Sequence, residues 1–309
     1  MNSSDIIIIG AGPGGMSALL WCHSLGLKGV LLEQAGELGG QMLQMFHQVI
    51  DYPGLPSANG QALRDHFANH LWQLQLDYRL ACHIEELDLH ARRVKVNAEW
   101  LQAKAIIIAT GVRARQLGLA NEARLARHGD VQDAALYAGQ RVCVVGGGDS
   151  AVQTSLILAR VCSAVTLIHH SDDFRARPEW LAEAHAKANL TIVAHARLRA
   201  LRGTERVESL LVENMHTNTT RELATDAVFI RVGVLPNTEF LQGQVALDEA
   251  GYIKIDARQR TSLALVYAVG DVCRPMCLSV ATAVGQAALA LKDASAVLRA
   301  QAEKLRALP

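Results

Sequence analysis

The sequence predicts an α/β protein of two domains, one inserted into the other, and three observations carry this. Short apolar runs that suit strands buried on both faces of a parallel sheet recur at residues 5–9, 105–109, 141–145 and 265–269. The first and third of them lead straight into glycine-rich turns followed by helical stretches. The other two end in Thr110-Gly111 and Gly270-Asp271 and flank the second glycine-rich unit, as strands of an interrupted first domain do.

Composition sets the bounds. A chain of 309 residues has room for two domains of roughly 150 residues each. Half the residues are apolar and 19% are charged, which is globular composition. Lys+Arg and Asp+Glu both count 30, so no net charge draws the chain to nucleic acid or to an anionic membrane. The N-terminus has neither a basic n-region nor an h-region of signal-peptide length. No apolar stretch approaches the roughly 20 residues of a membrane helix, and a cytoplasmic location is expected. The six cysteines, at 22, 82, 143, 162, 273 and 277, include no C-x-x-C pair, and most read as small buried residues.

The first unit justifies itself piece by piece. Residues 6–9 are four isoleucines, and Gly10-Ala11-Gly12-Pro13-Gly14-Gly15 follows, a G-x-G-x-x-G. A helix is expected over 16–25, then a strand at Gly29-Val30-Leu31-Leu32 that ends at Glu33. Gly10 permits the tight turn, Gly12 lets the backbone approach a pyrophosphate, and Gly15 lets the helix pack on the strand. The helix N-terminus offers N–H groups to phosphates, and Glu33 can accept hydrogen bonds from ribose hydroxyls. The glycines alone are a weak signal; strand, turn, helix, strand and terminal acid together are a strong one.

The unit recurs after the strand at 141–145. Gly146, Gly148 and Ala151 stand where Gly10, Gly12 and Gly15 stand, and a helix over 152–159 leads to a strand over 164–168. The position that matches Glu33 is His169. A carboxylate there would repel a 2′-phosphate and a histidine does not. With His170, Arg175 and Arg177 the sequence offers either a cationic neighbourhood that favours NADP over NAD, or an ordinary solvated loop. Two such units imply two dinucleotides, and the simplest chemistry that needs both is hydride transfer from a nicotinamide to a flavin.

The remaining elements close the flavin site. Asp271, at a strand's end, is placed for the ribityl and phosphate region. A helix over 281–291, opening near Ser279-Val280, aims N–H groups at the flavin's pyrimidine edge. The expected fold is two Rossmann-like, three-layer ββα domains: an FAD domain of residues 1–114 and 239–309, and an NAD(P) domain of residues 115–238. Val234-Leu235-Pro236-Asn237 reads as the return linker.

These stretches resemble the low-molecular-weight thioredoxin reductase family, which includes ferredoxin/flavodoxin–NADP reductases of the same fold. The resemblance runs through IIIIGAGPGG (6–15), GGQM (39–42), DYPG (51–54), IIIATGVRARQLGL (106–119), VCVVGGGDSAV (142–152), LIHHSDDFRA (167–176), GYIKID (251–256) and YAVGDV (267–272). It implies a homodimer whose two domains rotate to bring either nicotinamide or acceptor to the flavin. For FAD it implies Gly10, Gly12, Pro13, Gly14, Gly15 and Glu33, with Gln34, Gly40, Gln41, Asp51 and Ile84 around them. Ala109, Thr110, Gly111, Asp271, Ser279 and Val280 complete that set. For NAD(P) it implies Gly146, Gly148, Asp149, Ser150 and Ala151, with His169, His170 and Arg175. NADPH is the expected donor.

Two departures bear on chemistry. The family's redox C-x-x-C falls, by register from Gly146, on Gly129-Asp130-Val131-Gln132, which carries no thiol. Asp133 matches the acid that follows the pair and reads as a relic, a domain-interface residue or a proton donor. The family's H-R-R-x-x-x-R loop keeps His169 and Arg175, but His170 and Ser171 replace its two middle arginines. Arginine gives fixed bidentate contacts that these residues cannot, so NADH use is also expected. Cys273 and Cys277 offer a replacement dithiol if their Cα atoms come within about 7 Å; otherwise they are unreactive. His47 and His66 read as surface or packing residues, and Trp72, Trp100 and Trp180 as structural. His128, beside the lost pair, reads as a candidate to face the flavin, and no cluster has metal-ligand spacing. The expected function is an FAD-dependent NAD(P)H oxidoreductase serving a ferredoxin- or flavodoxin-like carrier or a small acceptor. The alternatives are a disulfide reductase or dithiol oxidase on Cys273/Cys277, a small-molecule flavin oxidase, and a nucleotide-binding regulator without turnover.

Overall fold

The computed structural model describes residues 3–306 except 47, 130 and 242, so His47 and Asp130 lie outside the described residues. The chain divides into two compact units, Met1–Arg113 with Leu235–Pro309, and Ala114–Val234. The sequence reading places these crossings at 114/115 and 238/239.

In chain order the first unit runs β1 (Ser3–Ile9), α1 (Pro13–Ser24), β2 (Gly29–Leu32), α2 (Gly60–Gln73), β3 (Tyr78–Arg79), β4 (Ile84–Asp88), β5 (Arg93–Val96) and β6 (Glu99–Ile108). β7 (Val112–Ala114) leads into α3 (Glu122–Leu125), β8 (Arg127–His128), β9 (Arg141–Val145), α4 (Asp149–Ala159), β10 (Ala164–Ile168) and α5 (Pro178–Ala186). The second unit continues with β11 (Leu190–Val193), β12 (Ala196–Arg202), β13 (Ser209–Asn214), β14 (Thr220–Ala224) and β15 (Ala227–Ile230). β16 (Val234–Pro236) leads back to β17 (Val266–Ala268) and α6 (Val280–Arg306).

In the first unit, β3, β2, β1, β6 and β17 lie side by side as parallel strands. On its edge away from β1, β6 is long enough to serve two partners: residues 99–102 pair antiparallel with β5, and residues 106–108 pair parallel with β17. β4 completes the antiparallel meander. The four isoleucines of β1 show why the run is unbroken. Ile6 and Ile8 pack with Met16 and Leu19 of α1, Leu63 of α2 and Leu291 of α6. Ile7 and Ile9 face the opposite way, onto Leu89, Val94 and Leu101 of the meander side. None is more than 4% exposed, and each contributes about 1.5–3 kcal/mol through burial.

The second unit repeats the plan. Its parallel sheet runs β11-β10-β9-β15-β8, with β12-β13-β14 as a separate antiparallel meander. Val142, Val144 and Leu167 pack with α4 and α5 on one face. Cys143, Val145 and Ile168 pack with Leu198, Leu210 and Val212 of the meander on the other. Both units are therefore helix, parallel sheet and meander in three layers, the predicted ββα plan.

Local differences have physical causes. The helix expected over 281–291 and the C-terminal helical stretch are one element, α6, because Ala283, Ala287, Ala290, Leu291 and Ala294 keep a continuous buried stripe. The expected linker at 234–237 contains a strand, since β16 pairs with β7 as a two-stranded ribbon. Trp72 is 69% exposed at the end of α2 rather than packed. Trp100 and Trp180 are structural in a specific way, carrying the guanidinium groups of Arg93 and Arg177 at 4.6 and 4.5 Å from their ring centroids. His66 is exposed, and Cys22, Cys82, Cys143 and Cys162 are buried, as expected.

Candidate functional site

The turn after β1 is shaped by what a side chain would hit. β1 and β2 pair so that Ile9 lies beside Leu32, which brings residues 10–15 next to Glu33 at the C-terminal edge of the sheet. Gly10 has φ +102°, and a Cβ built on it would lie 2.4 Å from the Ala109 carbonyl oxygen. One built on Gly15 would lie 1.8 Å from the Gly10 carbonyl oxygen, so α1 sits directly on the turn. On Gly12 a Cβ meets no protein atom within 4 Å. The protein itself leaves open space at Gly12, as a backbone that is to approach a pyrophosphate requires.

The helix end agrees. Gly12 is the N-cap of α1 with Pro13 in the first turn, and no side chain caps it. Two other helices are capped: Asn59 Oδ1 accepts from Ala62 N–H at 2.8 Å on α2, and Ser279 Oγ accepts from Thr282 N–H at 3.1 Å on α6. An N-terminus without a side-chain cap leaves its N–H groups for an anion. Glu33 braces the turn from the side, its carboxylate accepting Ala11 N–H at 2.6 Å and Ala35 N–H at 2.8 Å.

The other expected flavin residues gather here in part. Gly39 N–H donates to the Ala11 carbonyl, and a Cβ on Gly40 would lie 3.1 Å from Gly12 Cα, so residues 39–41 wall the turn. Gln41 Nε2 donates to the Val112 carbonyl. Gly14 lies against Val269 and Ala283, which draws the ends of β17 and α6 to the same turn. Asp271 is half-buried there, and burial raises its carboxyl pKa above the ordinary aspartate value. Thr110 lies under Gly10, and Gly111 follows it in a left-handed turn. Gln34 and Asp51 are exposed, and Ile84 is half-buried where β4 begins.

The second turn has the same form with one exchange. A Cβ on Gly146 would lie 2.2 Å from the Arg231 carbonyl oxygen, and one on Gly148 meets nothing within 4 Å. Gly148 is the N-cap of α4, again without a side-chain cap, and Asp149, Ser150 and Ala151 form the first turn. The exchange is at the middle position. A Cβ on Gly147 would lie 2.2 Å from the His169 ring, whereas its counterpart Ala11 has room for a methyl beside Glu33. Two open, glycine-walled helix N-termini at the C-terminal edges of parallel sheets fit two dinucleotides.

Comparison with known proteins decides the family. The model of the pyridine nucleotide-disulphide oxidoreductase family matches residues 4–287. The chain belongs to this family. It is 33% identical to a thioredoxin reductase of Mycolicibacterium smegmatis over 96% of this chain and 97% of that one. It is 31% identical to a "34.2 kDa protein in rubredoxin operon" of Clostridium pasteurianum, over 93% of this chain and 94% of that one. Its fold matches the crystal structure of Lactococcus lactis thioredoxin reductase with a TM-score of 0.83 at 31% identity, covering 94% and 97% of the two chains. It is thus an FAD-dependent NAD(P)H oxidoreductase of the thioredoxin reductase-like type.

Within this pyridine nucleotide-disulphide oxidoreductase, several expected residues take other roles. His169 is not a surface cation. It is 6% exposed, its Nε2 lies 3.2 Å from Ser171 Oγ and 3.3 Å from the Asp173 carbonyl, and burial pushes its pKa below the ordinary histidine value. Arg177 is engaged with Asp149 Oδ2 at 3.3 Å and with Trp180. Only His170 and Arg175 of the expected cationic group are exposed and without an ion pair among the described residues.

The replacement dithiol gains no support. Both thiols are free; Cys277 is exposed, while Cys273 packs against the meander-side core of the first unit. Burial, with Asp271 beside it, pushes the Cys273 pKa up, which is the wrong direction for a nucleophilic thiol. Asp133 is an exposed cap: its Oδ1 accepts Ala135 N–H at 2.9 Å and opens a short 3-10 helix. The ring nitrogens of His128 are buried, with Nε2 3.4 Å from Glu122 Oε1. Glu122, 3% exposed, also accepts Leu117 and Leu119 N–H at 2.9 and 3.0 Å. That pair braces the chain where it enters the second unit.

Asn237, expected only as part of the return linker, ties that linker to the turn after β6. Its N–H donates to the Gly111 carbonyl, its Nδ2 to the Thr110 carbonyl at 2.8 Å, and its own carbonyl accepts Thr110 Oγ1–H at 2.8 Å. Arg113 reaches the same corner, donating to the Pro236 carbonyl and Asn237 Oδ1 at 3.0 Å. No local signal points to a residue that acts across 127 positions of chain.

Proposed function

We propose that this chain takes electrons from NAD(P)H and passes them through FAD to a redox protein or small-molecule acceptor, without a protein dithiol. FAD is assigned to the first unit and NAD(P)H to the second. The observation that carries this is a pair: two turns whose second glycine leaves space beyond the protein, in a chain with no C-x-x-C.

The protein's part is to bind and orient. Gly12 and the N-terminus of α1 would receive the FAD diphosphate, with Glu33 at the ribose side. Asp271 and the start of α6 would lie toward the ribityl and ring. Gly148 and the N-terminus of α4 would receive the nicotinamide dinucleotide. Bound FAD supplies the redox chemistry, accepting a hydride's two electrons and releasing them singly or together. The name of the Clostridium pasteurianum relative favours a small iron protein as the single-electron acceptor. A homodimer and a cytoplasmic location belong to the same reading.

The test is an acceptor screen with NADH or NADPH as donor. Reduction of ferredoxin, flavodoxin or rubredoxin, with rates unchanged in Cys273→Ser and Cys277→Ser, supports the proposal. Thioredoxin or small-disulfide reduction abolished by either substitution overturns it in favour of a relocated dithiol. Oxygen uptake on a small substrate without added NAD(P)H points instead to an oxidase.

A further inference from the structure

The loop after β10 carries information that the family match does not. In a Rossmann-like unit the end of the second strand lies at the adenosine ribose, where an acid marks NAD and an arginine accommodates the 2′-phosphate of NADP. In the second unit that strand is β10, and the residues after it are His169, His170, Ser171, Asp172, Asp173, Phe174 and Arg175.

The inward side of this loop is used up by the protein. His169 fills the space beside Gly147 that a methyl occupies beside Glu33 in the first unit. Its ring packs on His170 and Phe174, with centroids 4.3 and 4.6 Å away. The Ser171 hydroxyl turns inward to His169 Nε2 at 3.2 Å. Arg177 is drawn off to Asp149, donating from its backbone N–H at 2.8 Å and from Nε at 3.3 Å, and it lies on Trp180. The outward side holds two exposed carboxylates, Asp172 and Asp173, the exposed imidazole of His170, and one exposed guanidinium, Arg175, whose backbone N–H is fixed to the Gly147 carbonyl at 2.9 Å. The Asp172 carboxylate lies 3.7 Å from His195 Nε2.

We propose that the second unit selects NADH over NADPH, because the loop sets one unpaired arginine against two carboxylates where a 2′-phosphate would have to sit. This rests on the reading that the second unit holds the nicotinamide dinucleotide. A 2′-phosphate brings roughly 1.5–2 negative charges at neutral pH. Arg175 alone does not outweigh Asp172 and Asp173 together with that charge; neither His169 nor Ser171 is free to help, and His170, stacked edge-on against His169, is an imidazole in place of an always-charged, bidentate guanidinium. NADH brings only a 2′-hydroxyl and meets no repulsion.

Binding separates this from turnover. The purified holoprotein is titrated calorimetrically with 5′-ADP and with 2′,5′-ADP, at low salt and at a pH above the ordinary histidine range. The proposal expects 5′-ADP to be the tighter ligand, and kcat/KM for NADH to exceed that for NADPH by about tenfold or more. Tighter binding of 2′,5′-ADP overturns it. Failure of both ligands to bind overturns the dinucleotide reading of the second unit, and the proposal with it. As a second check, the quadruple variant His170→Arg, Ser171→Arg, Asp172→Asn, Asp173→Asn should reverse the ADP preference, with a gain for 2′,5′-ADP that shrinks as salt rises. No reversal contradicts the charge argument even if the wild type prefers NADH.

Discussion

Replacing Gly12 by alanine separates the fold from the cofactor. Gly12 has φ −70° and ψ −176°, a conformation any residue adopts, and a Cβ there meets no protein atom within 4 Å. The folded apoprotein should therefore tolerate Gly12→Ala, with stability within about 0.5 kcal/mol of wild type. The new methyl points where a diphosphate would approach the helix N-terminus. Hydrogen bonds to a charged group contribute about 1.5–3 kcal/mol each, and losing one weakens FAD binding by roughly 10- to 150-fold. Gly15→Ala is the contrast, since its Cβ would lie 1.8 Å from the Gly10 carbonyl oxygen and something must shift. That variant should lose several kcal/mol or fail to fold. The assay is FAD titration by flavin fluorescence quenching, beside urea unfolding of the apoproteins. Gly12→Ala that binds FAD as tightly as wild type, or that unfolds as easily as Gly15→Ala, refutes the reasoning.

Three further outcomes follow from the second unit. Gly148→Ala should leave flavin content and stability unchanged while weakening nicotinamide dinucleotide binding about tenfold or more, read by calorimetry; a lost flavin would contradict the separate cradles. Gly147→Ala drives a methyl to 2.2 Å from the His169 ring, and should destabilise by about 1–3 kcal/mol. Adding His169→Glu, the arrangement of Ala11 and Glu33, should recover part of that loss in denaturant unfolding, whereas simple additivity would show the two positions to be uncoupled. Asp226 clamps the starts of β9 and β15, accepting Arg141 N–H at 2.9 Å and its guanidinium at 2.8 Å, which holds the Asp226 pKa down to about 2 from 3.8. A carboxyl lowered on folding stabilises fully above its unfolded value and stops doing so as pH falls through its folded one. The clamp should therefore weaken as pH drops from about 4 to about 2, by a modest amount because the pair is largely exposed. Asp226→Asn should flatten that part of the pH–stability curve, and an unchanged curve would remove the clamp from the account.

Much of the fold was legible because each informative residue acted on its near neighbours. Four isoleucines before a glycine turn admit little but a buried parallel strand, and β1, β9 and β10 fall on their expected positions within two residues. Two Rossmann-like units followed from the repeated turn and the two returning strands, while the meander strands β4, β5 and β12 to β14 carry no such turn signal and the ββα plan rested on the family resemblance. The site was less legible wherever a side chain's direction mattered. His169 sits where a ribose-binding residue belongs, yet only packing reveals that its ring is spent against Gly147. Arg177 reads as a phosphate cation until Asp149 is seen to hold it. The Cys273/Cys277 pair and Asp133 are alike in this: spacing suggested chemistry, while the environment packs one half-buried thiol against the core and makes the acid a cap. Asn237 reads from sequence only as part of the return linker, because its side chain's partner is 127 positions away.

Anaerobic spectroscopy of the flavin decides whether the two turns hold FAD and a nicotinamide dinucleotide. Purified protein, supplied with FAD if needed, should bind one flavin per chain and lose its visible flavin absorbance anaerobically on addition of NADH, with Gly12→Ala losing the flavin and Gly148→Ala keeping it unreduced at limiting NADH. Protein that stays colourless with FAD present, or a bound flavin that neither NADH nor NADPH bleaches, would contradict the account.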